Sequence, residues 1–162
     1  MVTIAGLALA GGLVILGAKL AQAPAATPDL SRPGTAESPR RVAVIMRDYV
    51  FNPTPLYLVP GETIELRAFN AGLVAHELVL GNGAVQQAWA SAHGAATPPG
   101  PFTTPPPARV APGTGGLELL LQPGESRTVV YRVPAIGSLQ LACHLPGHVE
   151  RGMVGSVILA TH

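Results

Sequence analysis

The chain has 162 residues, 48% of them apolar and only 4% aromatic, and a formal net charge of +1. That length suits one domain with an N-terminal appendage, and the apolar share is enough to build a core. Balanced charge, with no basic stripe interleaved with aromatics, excludes nucleic acid as the expected partner and makes long-range steering toward any partner weak. The 19 Gly and 17 Pro favour short strands joined by many turns over long helices.

At the N-terminus, Val2–Ala18 is apolar and uncharged. After Lys19 comes Ala21-Gln22-Ala23-Pro24, a small-residue pattern like a signal-peptidase site. Met1-Val2-Thr3 lacks the basic residues that open a signal peptide, and seventeen residues lie at the lower limit for spanning a bilayer. Residues 1–23 are expected to be either a cleaved signal peptide or an uncleaved membrane anchor. Both readings mean export, to the periplasm or to a membrane-anchored position facing outside the cytoplasm. Residues 24–40, with Pro24, Pro28, Pro33 and Pro39 among Ala, Thr and Ser, are expected to be a flexible linker. The remaining residues, 41–162, are expected to form one domain.

Within that domain, Val42–Met46 reads as a buried strand. Pro60-Gly61 is a turn ahead of a strand in which Ile64, Leu66 and Ala68 alternate with Thr63, Glu65 and Arg67. Asn70-Ala71-Gly72 is a further turn, followed by the strand His76-Glu77-Leu78-Val79-Leu80. Gln86–Ala92 favours a short helix, and Thr97–Pro107 carries six prolines and can be neither helix nor strand interior. Residues 83–116 are therefore expected to be an insertion on the rim. After Pro123-Gly124, Val129, Tyr131 and Val133 alternate with Thr128, Val130 and Arg132, and Leu139, Leu141 and Cys143 alternate with Ser138, Gln140 and Ala142. Val154–Leu159 reads as a last buried strand. Strands at this spacing, with no sustained helical period among them, predict an antiparallel β-sandwich.

Cys143 is the single cysteine, so an internal disulfide is unavailable to an exported chain. It opens Cys143-His144-Leu145-Pro146-Gly147-His148-Val149-Glu150-Arg151-Gly152-Met153, where thiol, imidazole and thioether recur every five residues. On a helix, residues five apart are rotated by roughly 140° and do not converge. A tight loop between adjacent strands does bring them together, and Pro146-Gly147 rules out a helix in any case. One thiolate, two imidazoles and a weak axial Met form a donor set that selects copper. The second imidazole must come from elsewhere. Of His76, His93, His144, His148 and His162, His76 is the one in a strand context. His93 is expected to be solvated and His162 incidental.

Taken together, Asn70-Ala71-Gly72…His76-Glu77-Leu78-Val79-Leu80 and Cys143-x4-His148-x4-Met153-x-Gly155 resemble the small blue copper proteins, the cupredoxins, over about residues 41–160. The likeness is closest to exported copper-tolerance and electron-carrier members, with a plastocyanin-like Greek-key sandwich. It implies one type 1 copper ion, with His76, Cys143 and His148 as equatorial ligands and Met153 as the long axial one. It further implies a one-electron carrier whose redox partners, such as a cytochrome or membrane oxidoreductase, dock on an apolar patch of Leu145, Pro146 and Val149 around His148. Residues 2–18 would tether the chain to the membrane if retained. The alternative is a copper-binding protein for tolerance or delivery, although Met1, Met46 and Met153 supply no Met-rich tract for storing further copper. Cys143-His144-x3-His148 also resembles the last domain of multicopper oxidases. Their trinuclear cluster needs several His-x-His pairs, and Ala142 stands where the first such histidine would be. No enzyme activity is expected.

Overall fold

Alternation of apolar and polar residues shapes most of the strands, because successive side chains point to opposite faces of a sheet. The structure, a computed structural model, describes residues 28–96 and 107–160. The expected leader 1–23, the first residues of the linker, part of the proline-rich stretch and His162 lie outside them. In chain order the elements are β1 (Arg40–Arg47), β2 (Val50–Asn52), β3 (Leu56–Leu58), β4 (Thr63–Asn70) and β5 (His76–Gly81). Then follow α1 (Gly83–Ala95), β6 (Leu117–Leu121), β7 (Ser126–Arg132), β8 (Gln140–Ala142) and β9 (Val154–Leu159).

The strands form two sheets, β2-β1-β4-β7 and β3-β9-β8-β5-β6. Their inner faces bury one core that includes Val44, Met46, Ile64, Leu66, Leu78, Leu80, Leu121 and Leu141. This is the expected sandwich, but it is mixed where an antiparallel one was expected. β1 pairs in parallel with β4, and β3 in parallel with β9. In each case the two strands are joined through other elements instead of by a hairpin, so they run the same way. A second correction concerns β1 and β9, read as buried strands. In β1 only Val42, Val44 and Met46 are buried, and in β9 Val154 and Ile158 are exposed, because the outer face of each sheet meets solvent there.

The helix is longer than the expected Gln86–Ala92. Asn82 caps it, its side chain accepting from the Val85 amide at 3.0 Å, and it runs to Ala95 against β5 and β8. No helix among the described residues is long and apolar enough to cross a membrane.

Ahead of β1, Gly34 is buried. Its carbonyl accepts from the Thr63 amide at 2.9 Å, and its amide donates to Glu62 at 3.3 Å. The Glu62 side chain is fully buried and also accepts from the Val59 amide at 2.8 Å and from Arg40 Nε at 2.8 Å. Burial opposes its charge, but the hydrogen bonds from Arg40, Val59 and Gly34 outweigh burial and hold its pKa below the usual carboxylate value.

Breaking this pair leaves Arg40 short of a partner. Glu62→Gln is therefore expected to lower unfolding stability by about 3 kcal/mol at neutral pH. Because the folded pKa is depressed, the advantage of the wild type is complete above the unfolded carboxylate pKa and is lost as pH falls through the folded value. Chemical denaturation of both proteins at neutral and acidic pH measures the difference.

Candidate metal centre

The strand pairing decides which side chains meet at one end of the sandwich. β8 lies beside β5, with Val79 opposite Ala142, so the start of β5 and the residues just after β8 share that end. His76 opens β5, and Cys143 follows β8 directly on the inward face shared with Leu139 and Leu141. The chain then has to bring His148 and Met153 back over Cys143 before β9 begins.

It does so by hydrogen-bonding to itself. His148 N donates to the Leu145 carbonyl at 3.0 Å, and Gly152 N to the Val149 carbonyl at 2.8 Å. Gly147 and Gly152 take φ values of 81° and 88°, a region costly for residues with a Cβ. Two further bonds close the loop: Met153 N to the His148 carbonyl at 2.9 Å, and Cys143 N to the Met153 carbonyl at 3.1 Å. Cys, His and Met, five residues apart in sequence, are thus clasped through their backbones.

The structure brings three of the expected residues, His76, Cys143 and His148, together. Nδ1 of His148 lies 3.3 Å from Nδ1 of His76 and 3.1 Å from Sγ of Cys143. The ligand atoms of these three residues all fall within 4.8 Å of one another, and all three side chains are buried. Met153 is fully buried in the adjoining core. Two imidazoles and one thiol fit a copper ion by softness, and no carboxylate belongs to the cluster, which disfavours hard cations.

The surroundings tune this set. Burial pushes the Cys143 thiol up to about 11, against the amides of Glu77 and Leu145, which favour the thiolate. The Glu77 amide donates to Sγ at 3.2 Å. Burial, then the charges of His76 and Arg151, lower the pKa of His148, so its ring is neutral at physiological pH.

Several neighbours carried no signal in the sequence. Asp48 Oδ1 lies 2.7 Å from Nε2 of His76. The Tyr49 ring meets both histidine rings edge-on, at centroid distances of 5.9 Å for His76 and 4.8 Å for His148. Arg151 stacks 4.6 Å over Tyr49 and also donates to its hydroxyl. His93, expected to be solvated, instead bonds through Nε2 to buried Glu77 at 2.9 Å, because α1 runs far enough to reach it. His144 turns away from the cluster and pairs through Nε2 with Gln86 at 2.8 Å.

No family model matches the chain. A curated copper-resistant cuproprotein CopI from Rubrivivax gelatinosus is 36% identical over 130 residues, covering 79% of this chain and 72% of the relative. A second, from Pseudomonas aeruginosa, is 25% identical over 162 residues, covering 89% of this chain and 90% of the relative. Among solved structures, the reduced auracyanin of Roseiflexus castenholzii has a TM-score of 0.61 at 22% identity, covering 75% of this chain and 97% of that one. Auracyanin B has a TM-score of 0.56 at 29% identity, covering 80% and 98% respectively. Auracyanin A, described as a blue copper protein from Chloroflexus aurantiacus, has a TM-score of 0.58 at 23% identity, covering 76% and 100%.

A thiol with a pKa of about 11 is protonated at pH 8 and must lose that proton to act as a ligand. Metal uptake at pH 8 is expected to release about one proton per ion, so apparent affinity rises about tenfold per pH unit. Titration calorimetry in two buffers of different ionisation enthalpy counts the protons.

Proposed function

The chain belongs to the family of the copper-resistant cuproproteins CopI, with the cupredoxin fold, and on that premise we propose that it holds one copper ion through His76, Cys143, His148 and Met153 as a one-electron carrier. The observation that carries this reading is the cluster of Nδ1, Sγ and Nδ1 already assembled in a buried site.

Copper bound there supplies a one-electron couple. The protein's own part is to keep its donor atoms still. His76 sits at the head of a strand buried along its whole length, paired with β6 on one side and β8 on the other. The loop carrying the other donors is closed by the bonds between Cys143, His148 and Met153. Donors held this way rearrange little between the geometries that the two oxidation states prefer, which favours transfer over storage. The Glu77 amide draws charge from the Cys143 sulfur, and the core excludes water from it.

Redox proteins are proposed to dock beside His148, where Val149 is exposed next to Leu145 and Pro146. The apolar segment 2–18 and the site-like Ala21-Gln22-Ala23 place this work outside the cytoplasm in our reading.

A second reading, copper tolerance or delivery, is favoured by the relatives named copper-resistant. The two readings differ in what turns over. Rapid electron self-exchange with the copper retained supports the carrier, whereas rapid transfer of copper to a chelator supports delivery.

Copper(II) added to the metal-free chain is expected to give an intense visible thiolate-to-copper band, which Cys143→Ser abolishes. Met153→Leu is expected to keep the metal and raise the reduction potential. Absorption spectroscopy and voltammetry make both checks, and a colourless copper complex of the wild type overturns the assignment.

A further inference from the structure

We propose that Asp48 is a positioning residue of the metal site, fixing His76 from its outer nitrogen in a space that Gly72 keeps open. The proposal rests on the reading of His76 as a copper ligand. A neutral imidazole has one N–H, and only the nitrogen without the proton can bind a metal. His76 is fully buried, with Nδ1 turned toward Cys143 and His148 and Nε2 2.7 Å from Asp48 Oδ1. An ionised carboxylate only accepts, so it holds the proton on Nε2 and leaves the lone pair of Nδ1 facing the cluster. Histidine ligands commonly carry such a partner on the other ring nitrogen.

Asp48 is held in its turn. The Leu73 amide donates to both of its oxygens, at 3.2 and 3.0 Å. Leu73 belongs to the loop between β4 and β5, and buried Asn70 shapes that loop by donating to the Val74 carbonyl at 2.8 Å and accepting from the Gly72 amide at 2.9 Å. A Cβ on Gly72 would lie 2.3 Å from Asp48 Oδ1 and 2.7 Å from His76 Nε2. The carboxylate and the imidazole therefore meet only where residue 72 has no side chain. Tyr49, the next residue, adds a second hold from the same turn by packing edge-on against His76 and His148.

Nothing in the spacing of the four metal-site residues points to Asp48, which lies 28 positions before His76. A purely structural alternative is that Asp48 only caps the Leu73 amide. The variants separate the two. Asp48→Ala removes the acceptor and is expected to weaken copper binding about 10- to 100-fold. Asp48→Asn keeps one oxygen for Nε2–H and is expected to restore most of that affinity, while both variants raise the reduction potential because the negative charge is gone. Gly72→Ala is expected to behave like Asp48→Ala, and the double variant to lose no more than either single one.

Nitrogen NMR of the metal-free chain at pH 8 tests the tautomer without copper. The wild type should show the proton of the His76 ring on Nε2, and both alanine variants should redistribute it. A wild-type ring lacking the Nε2 proton overturns the proposal. So does wild-type copper affinity and potential in Asp48→Ala, and so does full additivity of the Asp48 and Gly72 losses. If the wild type gives no intense visible band, the copper reading fails, while the tautomer measurement still decides the role of Asp48 in orienting His76.

Discussion

A thiol and two imidazoles buried at one point lose their water, and the architecture around them answers that cost. Sγ of Cys143 receives the Glu77 amide, the two Nδ1 atoms face each other, and Asp48 takes the outer nitrogen of His76. Among the described residues, no buried side-chain nitrogen or oxygen lacks a partner. A polar cluster satisfied to that degree is rigid, whereas a half-satisfied one would be a weak point in the core. Fixed donors and exclusion of water thus come together at the site, through these contacts and through the backbone bonds that close residues 143–153 on themselves.

Order at the site depends on order in the sheet behind it. β4 is pinned by a buried polar side chain at each end. Glu62, just before it, ties Gly34, Arg40 and Val59 together at the far end of the sandwich. Asn70, its last residue, donates to Val74 and to the Leu121 carbonyl of β6, so one amide joins the two sheets where they support the site. The loop that presents His76 is therefore anchored to both layers.

Much of this was legible in the sequence because it obeys local periods. Alternation of Leu139, Leu141 and Cys143 placed the thiol inward, and the five-residue rhythm through His148 to Met153 required a loop that folds over its own start. Other features lacked a local signature. The parallel pairing of β1 with β4 depends on how the chain crosses between layers, which strand patterning does not encode. Gly83 and Gly94 are poor helix formers, yet both lie within α1, where the Asn82 cap and contact with β5 and β8 override their poor propensity. The pairs Asp48–His76 and Glu77–His93 join residues 28 and 16 positions apart, so they emerge only once the fold has brought the elements together.

Gln86 and His93 stand seven residues apart, two turns along one side of α1. Gln86 donates to the carbonyls of Val79 and Gln140 at 3.1 and 2.9 Å, while His93 meets the Glu77 carboxylate. A helix that looks like an ornament on the rim is thereby wired to the backs of the strands that lead to His76 and Cys143. Without it the buried Glu77 carboxylate, one residue from His76, would keep the His144 amide at 3.2 Å and lose its contact with the His93 ring.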